Sequence, residues 1–139
     1  MAADTFSFEI TSPDGKSFSD EAEIINLRLT DGMIGILKGR LPLVGVIDIT
    51  HMEYTKEGVK HYFALGGGIL DVQKDHVLIL ADSFESKEEI DRERALEAKQ
   101  RAEELLKKAK ENPLSSNVDI KRANLALKRA MNRLTLLDN

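Results

Sequence analysis

All nine glycines and all seven aromatic residues of this chain lie at or before Phe84, and the final 55 residues contain neither. A stretch without glycine has no ready source of positive φ, so tight hairpins are disfavoured there. The same stretch is filled with Ala, Leu, Lys, Arg and Glu, which are strong helix formers. The distribution therefore predicts two architectures in 139 residues. Residues 1–84 should form a strand-rich module and residues 85–139 a helical one.

In the first module, Phe6, Phe8 and Ile10 alternate with Thr5, Ser7 and Glu9, the period of two expected of a half-buried strand. Ile25, Leu27 and Leu29 alternate in the same way. Ser12-Pro13-Asp14-Gly15 and Thr30-Asp31-Gly32 are turn signals. Further strands are expected at 33–37, 43–50, 52–56, 60–65, 69–73 and 76–81, with turns at Lys56-Glu57-Gly58 and Lys74-Asp75. Many short strands with frequent turns predict a sandwich or barrel.

In the second module, Ser86-Lys87-Glu88-Glu89 has the form of a capping box and should open a helix that runs to about Glu111. Ile90, Ala95, Ala98, Ala102, Leu105 and Ala109 keep helical spacing. Asn112-Pro113 ends that helix, because the residue before proline is disfavoured in the α region. Ser115-Ser116-Asn117 should cap a second helix, whose apolar side carries Ile120, Ala123, Leu127, Ala130, Met131, Leu134 and Leu137. A short connection makes the pair an antiparallel hairpin.

Charge follows the same division. Residues 1–84 hold 7 Lys/Arg against 13 Asp/Glu, a net of −6, and residues 85–139 hold 13 against 11, a net of +2. An acidic sandwich does not suit nucleic acid, whose affinity rests on many phosphate contacts. There is no cysteine, which excludes disulfides and thiolate metal sites. The N-terminus shows no signal-peptide pattern. The longest apolar stretch of the strand region is Val77–Ala81, far short of the roughly 20 residues that cross a bilayer, so direct membrane insertion is not expected.

His51, His61 and His76 lack metal-ligand spacing, and Gly66-Gly67-Gly68 lacks the Lys-Ser/Thr of a phosphate loop. Tight turning or close backbone packing is the expected role of those glycines. No nucleophile arrangement is present, so no catalysis is expected. The arginines of the helical module are more informative. Arg122, Arg129 and Arg133 fall on one ridge of the second helix, and Asp91, Arg94 and Arg101 share a face of the first. A hairpin centred near Leu114 would set Arg94 beside Leu134 and Arg101 beside Leu127, with Arg129 and Arg133 as neighbours. Arg122 would lie about 10 Å further along. Converging guanidiniums need an anion between them, and a polyphosphate suits their planar forks. Solvated faces paired with glutamates are the alternative from spacing alone.

Asp31-Gly32-Met33-Ile34-Gly35-Ile36-Leu37-Lys38-Gly39-Arg40-Leu41-Pro42-Leu43 resembles the G-E-x-G-I-L-x-G-H-x-P-L segment of the epsilon subunit of bacterial F-type ATP synthase. Leu65-Gly66-Gly67-Gly68-Ile69-Leu70-Asp71-Val72 resembles that family's S-G-G-F-x-E-V strand. The segment from Asp119 to Leu134 resembles the second C-terminal helix of Bacillus-type members. Arg40 stands where the family has histidine, and Leu65-Gly66 replaces a small-residue pair.

The resemblance implies a ten-stranded N-terminal β-sandwich and a C-terminal two-helix hairpin. It implies a non-catalytic rotor subunit that contacts the gamma subunit, the c-ring and, transiently, the alpha and beta subunits at the cytoplasmic face of the bacterial plasma membrane. The extended hairpin would inhibit ATP hydrolysis. Ile90-Asp91-Arg92-Glu93-Arg94-Ala95 matches the family's I/L-D-x-x-R-A motif for ATP as a regulatory ligand. By position, Glu85, Ile90, Asp91, Arg94, Ala95, Arg101, Arg129 and Arg133 correspond to its ATP-contacting residues. Glu85, Ile90, Asp91 and Ala95 would serve the adenine and the four arginines the phosphates. No residue calls for a metal ion. A purely structural stalk component is the alternative.

Overall fold

The computed structural model describes residues 4–114 and 119–138. The chain divides between Glu88 and Glu89 into two compact units. The first holds eight strands: β1 (Phe6–Thr11), β2 (Ser17–Ala22), β3 (Ile24–Leu29), β4 (Gly32–Leu37), β5 (Leu43–Lys56), β6 (Val59–Gln73), β7 (His76–Ala81) and β8 (Phe84–Ser86). The second holds α1 (Arg92–Glu111) and α2 (Ile120–Leu137). A 3-10 turn at Lys87–Glu89 leads from one to the other.

The strands pair in the order β2-β1-β7-β6-β5-β3-β4, with β8 attached to β6. β1 and β7 run parallel and the other neighbours antiparallel. β5 and β6 are longer than the sequence suggests, at 14 and 15 residues. Each joins two runs that sequence patterning separates. The tight turn between them uses positive φ at Glu57 and Gly58, 52° and 76°, as a two-residue hairpin of right-handed twist requires.

β6 serves two neighbours along its length: its second half pairs with β7 from Gly68 to Gln73, and its first half pairs with β8 from Phe63 to Leu65. The change of partner falls on Gly66-Gly67-Gly68. Gly67 and Gly68 take φ of 91° and 152°, and a Cβ on Gly68 would lie 2.1 Å from the Leu80 carbonyl oxygen. The triple glycine is thus a bend with close backbone approach, as its lack of phosphate-loop residues implies. β5 shows the complementary irregularity, a register shift against β3 between Asn26 and Leu29. Counting each half of β5 and β6 as a strand recovers the ten strands of the expected sandwich.

Side chains of the inner face alternate along the strands and form one core, including Phe8, Ile10, Ile25, Leu27, Met52, Leu65, Leu70 and Ile79. Burying each such side chain contributes about 1.5–3 kcal/mol. β2 and β5 are not ladder neighbours, yet Phe18 meets Tyr54 at a ring separation of 6.3 Å, and the Tyr54 hydroxyl donates to Asp20 Oδ2 at 3.0 Å. The sheet therefore folds over on itself. Lys56 Nζ donates to the other Asp20 oxygen at 2.7 Å. Burial would raise the Asp20 pKa, but the Lys56 and Tyr54 hydrogen bonds and the Glu21 amide outweigh it and hold it below its ordinary value.

Two sequence expectations change at the junction. β8 extends the first unit past Phe84, which is itself buried against Phe63, so Glu85–Glu88 also belong with the first unit. Ser86–Glu89 is not the capping box of an α-helix, because Ser86 still pairs with Phe63. Asp91 caps α1 instead, its side chain accepting from the Arg94 amide. α2 is capped by Asp119, which accepts from the Arg122 amide. The expected cap at Ser115-Ser116-Asn117 lies outside the described residues.

Candidate functional site in the helical hairpin

α1 and α2 start in the same way. Asp91-Arg92-Glu93-Arg94-Ala95 and Asp119-Ile120-Lys121-Arg122-Ala123 both read D-x-x-R-A. In each the aspartate is the N-cap, with Oδ1 accepting from the arginine amide at 3.2 Å in α1 and 3.1 Å in α2. The alanine that follows is buried in both. An Asp at N-cap satisfies one of the first amides that a helix leaves without a partner. Two members of the motif at Ile90–Ala95, the aspartate and the alanine, therefore have a local structural role. The Arg94 side chain has none of this kind.

Ala95, Ala102 and Ala109 are buried at seven-residue intervals on α1, and Ala123 and Ala130 repeat the interval on α2. Such small side chains let two helices approach closely. The antiparallel arrangement is marked by the ion pair of Arg92 with Asp138, Nη2 to Oδ1 at 2.9 Å, which joins the start of α1 to the end of α2. Counting from that pair at 1.5 Å per residue, Arg101 comes about level with Arg129. Arg133 falls between the levels of Arg94 and Arg101, and Arg122 lies about 10 Å beyond Arg129.

Direction follows from the same geometry. A two-fold axis normal to the plane of an antiparallel hairpin relates its helices, so positions equally displaced from the inward stripe fall on one flank. Arg94 and Arg101 each precede a buried alanine by one residue, about 100° around the helix. Arg129 precedes Ala130 in the same sense, and Arg122 and Arg133 lie within about 40° of it. Arg94, Arg101, Arg122, Arg129 and Arg133 thus share one flank. Arg129 and Arg133 are half-buried, whereas Asp91, Arg94 and Arg101 are exposed. Ile90 and Ala95 are buried.

The apolar stripes need small corrections. Leu106, not Leu105, is the more covered leucine of α1, since it lies about 40° from the Ala102 direction and Leu105 about 60°. On α2, Ile120 and Met131 are 53% and 48% exposed, while Leu136, absent from the expected stripe, is fully buried. Ile120 and Met131 fall about 80–100° from Ala130 on the flank opposite the arginines. Glu85 is placed differently from the other seven candidates: it is half-buried in the middle of β8, paired with Ala64, and belongs to the strand unit.

Comparison with known proteins identifies the architecture. Residues 5–87 match the model of the ATP synthase delta/epsilon chain beta-sandwich domain, and residues 88–137 match that of the delta/epsilon chain long alpha-helix domain. The chain belongs to the ATP synthase epsilon chain family. The epsilon chain of Bacillus licheniformis is 45% identical over 130 residues, covering 94% of this chain and 95% of that relative. The epsilon chain of Desulfitobacterium hafniense is 39% identical over 137 residues, covering 99% of each. Among solved structures, a chain of the Euglena gracilis mitochondrial ATP synthase, from an OSCP/F1/c-ring complex, shares the fold with a TM-score of 0.74 at 21% identity. That match covers 94% of this chain and 79% of that one. Among the described residues of this epsilon chain family member, no helix is long and apolar enough to cross a membrane.

Proposed function

We propose that this chain is a non-catalytic central-stalk subunit that couples gamma to the c-ring of a proton-translocating ATP synthase, and that its hairpin senses ATP. The relatives are epsilon chains, and the Euglena neighbour comes from a complex described as OSCP/F1/c-ring. Those relationships support assembly with gamma and the c-ring at the cytoplasmic face of the bacterial plasma membrane. The observation that carries the ATP reading is the single basic flank of the hairpin, which both helices must supply together.

Mechanistically, Arg94, Arg101, Arg129 and Arg133 hold the phosphates as charge-assisted donors. Asp91, Ile90 and Ala95 serve the adenine. No metal is needed for this chemistry, because the arginines themselves neutralise the phosphate charge. Two helices are required side by side, so ATP favours the folded hairpin over an extended one that inhibits ATP hydrolysis. A ligand shifts such a balance only by its difference in affinity for the two states.

The test is ATP titration by calorimetry. Arg94→Ala or Arg133→Ala removes a charge-assisted hydrogen bond worth about 1.5–3 kcal/mol, a loss of roughly 10- to 100-fold in affinity. Arg122→Ala, about two turns beyond Arg129, should cost less. Equal losses at all three positions would refute the geometry and leave a diffuse electrostatic effect.

A further inference from the structure

The two helices of the hairpin repeat more than their first turns. Shifting α1 by 28 residues, the distance from Asp91 to Asp119, also brings Arg94 onto Arg122, Ala95 onto Ala123, Arg101 onto Arg129 and Ala102 onto Ala130. The aspartates are caps in both copies and the four alanines are buried, so helix initiation and helix packing account for them. Neither accounts for the arginines. Arg94, Arg101 and Arg122 are exposed and Arg129 is half-buried. None of these four guanidiniums has a carboxylate partner among the described residues. α2 supplies none along its own length, since Ile120–Leu137 contains no Asp or Glu.

The repeat and the antiparallel pairing together locate a pseudo-two-fold axis. The ion pair of Arg92 with Asp138 sets Arg101 about level with Arg129, and these two residues are themselves a repeat pair. An axis normal to the hairpin therefore passes between them. Arg94 lies about 10 Å from that level toward one end of the hairpin, and Arg122 about 10 Å toward the other. All four stay on one flank, because such an axis does not exchange flanks. The central pair Arg101 and Arg129 thus has a further arginine on each side. The symmetry is broken at one position: the counterpart of Arg133 is Leu105, which is 43% exposed.

We infer that Arg122, with Arg101 and Arg129, forms a second half-site for an oligophosphate anion, related by the axis to the half-site of Arg94 and Arg133. Guanidinium forks around a shared centre offer phosphate oxygens charge-assisted donors from either side. Three arginines against four make the second half-site the weaker. Both halves use the central pair, so a polyanion in one excludes a polyanion from the other, and the chain takes up one at a time. The inference rests on the ATP reading above for the role of the central pair, and it places no adenine at Arg122.

The probe is tripolyphosphate, which has the phosphate chain without a base, titrated into the full chain by calorimetry and by NMR of the arginine Nε–H groups. Arg94→Ala/Arg133→Ala, which disables the first half, should still bind one tripolyphosphate, more weakly, with signal shifts at Arg101, Arg122 and Arg129. Adding Arg122→Ala to that pair should lower the remaining affinity about 10-fold or more. Adding Lys121→Ala instead removes the same charge about 100° around the helix and should cost a few-fold at most. Adding Leu105→Arg, which restores the missing counterpart, should strengthen binding about as much as Arg122→Ala weakens it. Equal losses from Arg122→Ala and Lys121→Ala, no binding once Arg94 and Arg133 are replaced, or no gain from Leu105→Arg would each overturn the second half-site. So would two tripolyphosphates on one wild-type chain, since the halves could not then share their centre. A wild-type chain that takes up tripolyphosphate but no ATP would refute the nucleotide reading and not this one.

Discussion

Asp91 has two candidate roles, helix cap and ligand contact, and one pair of substitutions separates them. Its Oδ1 accepts the Arg94 amide at 3.2 Å, which leaves Oδ2 to accept from an adenine amino group. Asp91→Ala removes both acceptors. Loss of the cap alone costs about 1 kcal/mol, within a range of about 0.5–2, and it frays the turn that carries Arg94. At 1.4 kcal/mol per decade, that fraying weakens ATP by roughly 2- to 30-fold. Asp91→Asn keeps one oxygen for the cap but turns the second acceptor into a donor, which opposes the adenine amino group. It should therefore melt like the wild type in circular dichroism and still lose about 10-fold or more in ATP affinity by calorimetry. Asp119→Ala, which removes the matching cap of α2, serves as the control, with a lower helical stability and an affinity loss smaller than that of Asp91→Ala. Wild-type affinity in Asp91→Asn would show that the aspartate of the motif is only a cap. An equal loss in Asp119→Ala and Asp91→Ala would show that affinity merely tracks hairpin stability.

Three further outcomes follow from other parts of the fold. Gly68→Ala should destabilise the strand unit by about 3 kcal/mol or more in urea unfolding, because it adds strain at φ 152° and drives a Cβ into the Leu80 carbonyl. A chain ending at Glu88 should stay folded, co-purify with gamma and give an assembled enzyme with faster ATP hydrolysis. A chain ending at Phe84 should be less stable, since it lacks the pairs of Glu85 and Ser86 with β6. The Asp20 carboxylate, whose pKa lies below its unfolded value, contributes stability that is present above about pH 4 and lost as pH falls through the folded pKa. The stability gap between wild type and Asp20→Asn should accordingly be widest near neutrality and close on acidification, as read by unfolding curves across pH.

How much of this was legible without coordinates depends on the range of the interactions concerned. Alternation at Phe6–Ile10 and Ile25–Leu29, the turns at Gly15, Gly32 and Gly58, and the end of α1 at Asn112-Pro113 are local, and each follows from a few neighbouring side chains. The basic flank was legible too, since 100° per residue places arginines around a helix whatever lies nearby. Family resemblance added the motif at Ile90–Ala95. Tertiary structure decided the features that depend on residues distant in sequence. β5 and β6 run on through positions that look like breaks because β3, β7 and β8 supply ladder bonds on either side of the bends. The last strand extends past Phe84 because Phe63, Ala64 and Leu65 wait to pair with it. A capping box is a pattern of side chains that can bond only if the backbone turns helical there. At Ser86 the pairing with Phe63 prevents that, and the helix begins at Asp91 instead. Lys16 reads as one charged residue after a turn, and its bond to a carbonyl 68 residues away exists only because the sheet closes on itself.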